Sequence, residues 1–196
     1  MFIKKEGERM IMPQYYRKKK DFKIIPIEDL KLMLKAARKY RNYDRMWAIL
    51  VLVWITGARI GEILRLKKED FLIDFEKDTL YVTLSTLKGG AMRELKLSIE
   101  KTPFIKEIIM PYISRRKGWL FWIGVRRAEQ LLQRINEDTG LWYTFHEFRH
   151  SRLTYLARKL RASTSELMDW TGWRDTSPVG VYLIREASER FKDKIR

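Results

Sequence analysis

The chain has no cysteine, so disulfides, thiol nucleophiles and thiolate metal sites are excluded. Histidine occurs twice, at 146 and 150 in one short segment. A zinc site is therefore not expected, although a carboxylate-held Mg²⁺ stays open on counting alone. Asparagine stands only at 42 and 136, and glutamine only at 14, 130 and 133. So few thermolabile side chains beside 34% charged residues fit a thermophilic source. No apolar run reaches the roughly 18 residues of a membrane span. The longest, residues 46–55, suits a buried helix. The opening Met1-Phe2-Ile3-Lys4-Lys5-Glu6 carries charge where a signal peptide needs its apolar stretch. These absences read as a cytoplasmic protein.

What is present is charge and core. At 196 residues, 45% hydrophobic and 13% aromatic, the chain can bury one sizeable core. Lysine and arginine number 41 against 25 acids, a net charge of +16. Such an excess points to a polyanionic partner. Anionic membrane is the rival, but no basic helix shows a clean exposed apolar face. Nucleic acid is the expected partner, and a nucleoid-associated location follows from it. Residues 1–23 form a basic lead segment with Arg17, Lys18, Lys19 and Lys20 at its centre. It is either a solvated tail or an arm that tracks a DNA backbone.

Periodicity predicts a mainly α fold with one small three-stranded antiparallel sheet. The folded part, 24–196, starts near Pro26, where Leu30, Met33, Leu34 and Ala37 recur at helical spacing. A second, central helix covers 46–55 and stops at Gly57. A third, short helix carries Arg59 to Leu66. Residues 71–73, 80–84 and 94–97 read as strands, with Gly89-Gly90 turning the last two. Thr102-Pro103 predicts a helix start, with threonine as N-cap and proline next. Another helix covers about 126–138. Thr144…Glu147 and Ser163…Glu166 are capping boxes that open two more. Ser177-Pro178 opens the last, which bears Tyr182.

Several residues on this frame could carry chemistry. His146 and Arg149 share one helix face, and His146 falls in the first turn, where free N–H groups favour an anion. Taken alone they are an ordinary pair on a basic helix. Arg59 follows a Thr-Gly break, anchored by Ile60, Ile63 and Leu64, as a rigid phosphate clamp requires. Glu62, three residues on, could fix its guanidinium or form a plain helix salt bridge. Lys88 sits on the predicted hairpin tip, within reach of a groove or simply in solvent. Tyr182, in the apolar run 179–184, by itself reads better as a core residue, and Trp173 could equally be core.

Their joint order is more specific. Thr56-Gly57-Ala58-Arg59-Ile60-Gly61-Glu62-Ile63 is followed by His146-Glu147-Phe148-Arg149-His150-Ser151-Arg152-Leu153-Thr154. Gly172-Trp173 then precedes Tyr182 by nine residues. These blocks resemble the three boxes of the tyrosine recombinases, the phage-integrase family. Thr86-Leu87-Lys88-Gly89-Gly90, with Arg93 following, matches the family's hairpin lysine. The resemblance covers roughly residues 24–184. Trp173 replaces the commoner histidine of the third box and can only donate a hydrogen bond.

The resemblance implies an enzyme that cleaves and rejoins double-stranded DNA without metal, ATP or cofactor. Tyr182 would attack the scissile phosphate, forming a 3′-phosphotyrosine. Arg59 and Arg149 would clamp the nonbridging oxygens, joined by the Trp173 indole. Lys88 would protonate the leaving 5′-oxygen and His146 would accept the tyrosine proton. Glu62 would orient Arg59 or His146. His150, about 100° from Arg149 around the helix, is expected to be structural. Arg93 and the lead-segment cations would bind DNA. The resemblance further implies a monomer when free and a tetramer on DNA. Family members usually carry a helical core-binding domain first. With 23 residues ahead of the catalytic region, that domain is expected to be absent, the chain being an excised domain or a natural short form. Alternatives keep the chemistry but change the outcome, a type IB topoisomerase or a transposase, or make the chain a DNA-binding fragment with little activity alone.

Overall fold

The computed structural model describes residues 24–86 and 92–182. Lys88 and the lead-segment cations Arg17, Lys18, Lys19 and Lys20 lie outside them. The expected class holds: among the described residues, eight α-helices accompany one antiparallel sheet.

Helix α1 (Ile27–Ala37) buries Leu30, Met33, Leu34 and Ala37, the predicted stripe. Helix α2 (Tyr43–Thr56) is apolar on nearly all sides and nine of its residues are buried. A helix this apolar is stable only with neighbours around it. Helices α1, α3 (Ile60–Ile63) and α6 (Phe145–Arg158) provide them. The sheet runs β1 (Phe71–Asp74), β2 (Thr79–Ser85), β3 (Met92–Ser98) in spatial order. Leu80 pairs with Leu97, and Val82 with Leu95. These four side chains are buried while their chain neighbours are not, the period-two pattern of a sheet covered on one face.

Helix α5 (Val125–Thr139) closes the other side of α1, and the Thr144 cap opens α6 as its sequence predicts, Thr144 Oγ1 accepting from Glu147 N at 3.2 Å. Ser163 does the same for α7 (Thr164–Thr171). A last helix, α8, runs from 177 to 182, where this stretch of described residues ends. Helices α6, α7 and α8 share a small separate core of Leu153, Leu156, Ala157, Leu167, Val179 and Tyr182.

The predicted helix start at Thr102-Pro103 is corrected. Thr102 N–H donates back to Ser98 carbonyl at 3.1 Å and so belongs to the turn that leaves β3. Winding begins after Phe104, in the left-handed region at φ 68°, as a π-turn over Ile105–Ile109 that passes into α4 (Met110–Ser114). Pro111 has no N–H to give to the preceding turn, and a wider i→i+5 turn is one way a helix absorbs such a break.

Candidate active site

The end of α2 assembles the site. Gly57 takes φ 63°, a conformation that suits glycine, and Thr56 Oγ1 accepts the Ala58 N–H at 3.1 Å. The chain turns sharply and delivers Arg59 to the N-terminus of α3. Gly57 is also a point of close approach. A Cβ there would lie 2.9 Å from the Cβ of Arg152 on α6. The Gly57 carbonyl accepts Arg149 Nη1 at 2.7 Å. A backbone carbonyl of the first motif thus holds the arginine of the second.

Beneath the arginines lies Glu62, only 1% exposed. Its carboxylate accepts from Arg59 N at 3.0 Å, Arg59 Nη1 at 3.2 Å and Arg93 Nη2 at 2.8 Å. Burial alone would raise its pKa. The Arg93 bond and charge, the Arg59 N–H and the Arg149 charge outweigh burial and hold it below the ordinary carboxylate value. Arg93 Nε donates to the Trp170 carbonyl at 2.9 Å. Arg93, expected among the DNA contacts, therefore turns inward and supports Glu62 from β3.

Arg149 is 4% exposed. Its Nη1 is bonded to Gly57, while Nη2 is buried with no hydrogen-bond partner among the described residues. The guanidinium lies 5.2 Å over the Trp173 ring. Burial, reinforced by the charge of Arg59, pulls its pKa down to about 10. It stays cationic at neutral pH. Arg59, His146 and Arg149 line one cleft of about 540 Å³. Helix α5 and residues 142–145 form much of its remaining wall, including Trp142, which is 73% exposed.

Tyr182 is 5% exposed in the small α6–α8 core. Its ring stacks on Trp173, with centroids 6.2 Å apart at 25°. Burial pushes its hydroxyl up to about 12, against a lowering pull from Arg149. The hydroxyl is hydrogen-bonded to Nδ1 of His150. The sequence places His146 opposite Tyr182 and treats His150 as structural; the contact falls to His150 instead. The two rings pack edge to face with centroids 4.2 Å apart, as i and i+4 residues on one helix face do. That spacing is the signal from which the contact of His150 could have been read. Its angle to Arg149 separates it from the clamp but leaves it one turn from His146, toward α8.

Sequence reasoning also passed over Trp170 and Arg152. Trp170 Nε1 donates to Thr56 carbonyl at 2.6 Å and ties α7 to the end of α2. Arg152 lies over the Trp170 and Tyr155 rings at 5.2 and 5.3 Å, and burial lowers its pKa to about 10. Neither stands at a box position that the resemblance assigns, so only the packing exposes them. Among the described residues, no helix is long and apolar enough to cross a membrane.

Comparison with known proteins agrees with this arrangement. The sequence profile of the phage integrase family matches residues 23–189. Tyrosine recombinase XerA of Pyrococcus furiosus is 27% identical over 80% of this chain and 55% of its own length. The XerA of Thermococcus kodakarensis is 27% identical over 95% of this chain and 68% of its own. This chain thus spans little more than half to two thirds of those relatives, whose archaeal sources agree with the thermophile-like composition. The XerH recombinase bound to its difH substrate superposes with a TM-score of 0.65 at 19% identity, over 84% of this chain and 51% of that one. The catalytic domain of bacteriophage HP1 integrase gives 0.61 at 16% identity, over 86% and 95%. The fold is that of a tyrosine-recombinase catalytic domain, and with the profile covering most of its length the chain belongs to the phage integrase family.

Proposed function

We propose that this chain carries the catalytic machinery of a site-specific DNA recombinase. Arg149 supports this reading most directly: a buried guanidinium N–H without a partner among the described residues, beside a cleft shared with Arg59 and His146. An unsatisfied charged donor is costly to keep, and a phosphate oxygen would satisfy it. Arg59, braced by Glu62 but 44% exposed, would take a second nonbridging oxygen. Fixed donors aimed at developing charge typically contribute about 10²–10³-fold each. His146, at the N-terminal turn of α6, faces the same anion. Trp173 backs Arg149 and flanks Tyr182.

Tyr182 Oη attacks phosphorus, the bond to the 5′-oxygen breaks, and a 3′-phosphotyrosine forms. Lys88 protonates the departing 5′-oxygen. The phosphodiester energy is kept in the tyrosyl link, so rejoining to a partner strand needs no ATP. The net charge of +16 supplies largely non-specific, salt-sensitive affinity for double-stranded DNA, with Arg17 to Lys20 tracking the backbone. Strand exchange requires a tetramer on two duplexes.

Covalent trapping tests this reading. Wild-type protein and Tyr182→Phe are incubated, without divalent metal, on nicked suicide duplexes drawn from a random or host-derived pool. An adduct in wild type that vanishes in the variant, with its DNA joined through a 3′ end, is the expected result. An adduct that persists in Tyr182→Phe removes the nucleophile assignment. Salt-sensitive binding without any adduct favours a DNA-binding fragment, and relaxation of supercoils without strand exchange favours a topoisomerase outcome.

A further inference from the structure

Tyr182 must lose a proton to attack, and its surroundings disfavour the anion. It is buried in an apolar cluster, and among the described residues its hydroxyl is hydrogen-bonded to the imidazole of His150. His146 borders the phosphate cleft instead. The two histidines are thus divided between the two reacting partners, one toward the phosphate and one toward the nucleophile.

We infer that His150 is a catalytic residue that takes the Tyr182 proton through Nδ1 during cleavage and returns it during rejoining. The inference rests on Tyr182 being the nucleophile. In cleavage the Tyr182 O–H bond breaks and its proton moves to Nδ1 as Oη bonds to phosphorus. The P–O5′ bond breaks, and the 5′-oxygen takes a different proton, from Lys88. His150 begins neutral, with its proton on Nε2 and the lone pair on Nδ1, and ends as imidazolium. Rejoining reverses each transfer, so the balance closes without a further reactant. The 4.2 Å edge contact with His146 and the position on α6, directly after the clamp arginine, hold the ring on the clamp side of Tyr182. A positioned side chain of this kind typically contributes about 10²–10⁴-fold.

Two measurements decide it. The chain has two histidines, so ring-nitrogen NMR of the full chain labelled with ¹⁵N-histidine shows two rings, assigned with His146→Ala. Tyr182→Phe is expected to shift the Nδ1 resonance of His150 far more than either nitrogen of His146. A larger shift at His146 overturns the inference, whatever the DNA chemistry. The second measurement is the rate of adduct formation on duplexes trapped by the wild type. His150→Ala is expected to slow it roughly 10²-fold or more. His150→Asn, whose amide can accept the hydrogen bond but not the proton, is expected to be nearly as slow while melting like wild type. Replacing Tyr182 by a fluorinated tyrosine with a more acidic hydroxyl is expected to recover most of the loss in both. Wild-type rates in His150→Asn, or a defect that the fluorinated tyrosine leaves unchanged, would reduce His150 to a spacer. An adduct in Tyr182→Phe would sink the nucleophile reading itself, a result distinct from any His150 outcome.

Discussion

The arginine clamp and the tyrosine are held in different ways. Arg59, Arg149 and Arg93 converge on Glu62 and the Gly57 carbonyl, at the edge of the large core built on α2. Tyr182 belongs to a separate cluster on α6, α7 and α8, with six buried members among the described residues. One polar tether of its ring is the hydroxyl contact to His150. Charges that must be in place before substrate arrives gain from a rigid frame. The proposed nucleophile, 5% exposed, would instead have to become accessible, and a small cluster yields at lower cost than a large one.

The largest effect expected on the clamp side is on stability. Glu62→Ala leaves Arg93 buried without its carboxylate, and breaking such a pair costs about 3–5 kcal/mol. Urea unfolding followed by circular dichroism measures it; a loss below 1 kcal/mol would mean that Glu62 does not organise the clamp. Arg149→Lys is expected to lower the adduct rate about 10²–10³-fold with DNA affinity nearly unchanged, because lysine cannot reach Gly57 and a phosphate oxygen at once. Equal losses in affinity and rate would place Arg149 in general DNA binding.

The comparison sharpens with matched leucines. Leu50→Ala in α2 and Leu167→Ala in α7 both empty fully buried positions, each in a range of about 2–5 kcal/mol. Leu50→Ala is expected near the top of that range, with normal adduct rates per folded molecule. Leu167→Ala is expected near the bottom, with the rate altered and faster amide exchange in α7 and α8. Identical behaviour would make the two clusters one cooperative unit. Gly57→Ala combines a left-handed φ with a 2.9 Å approach to Arg152, and is expected to cost about 1–3 kcal/mol.

Acid has the most gradual effect. The Glu62 pKa is depressed in the folded state, so its stabilisation is fully present above the unfolded carboxylate value, about 4.3. It is lost as pH falls through the lower folded value. Glu62→Gln should flatten the stability–pH curve in that window, and an unchanged curve would mean that other carboxylates govern acid unfolding.

Most of the frame was legible from local chemistry. Capping boxes at Thr144 and Ser163, alternation in β2 and β3, and the apolar run of α2 are short-range signals, and each formed the element it predicts. The start after β3 was misread because Thr-Pro is a good helix opening in isolation. The backbone bond to Ser98 and the proline at 111 decided otherwise. Motif order marked Arg59, His146, Arg149, Trp173 and Tyr182 as candidates, since residue type and spacing carry the chemistry of a phosphate site.

Partnership was a matter for the tertiary structure alone. Which oxygen each guanidinium takes, that Arg93 turns inward to Glu62, and that His150 rather than His146 meets Tyr182 all depend on α2, α3, β3, α6 and α8 converging from distant parts of the chain. The sequence by itself determined the helices, the small sheet, the basic character and the family. Hydrogen bonds and ion pairs act over a few ångströms, so the pairing of those side chains had to wait for the packing that brings them together.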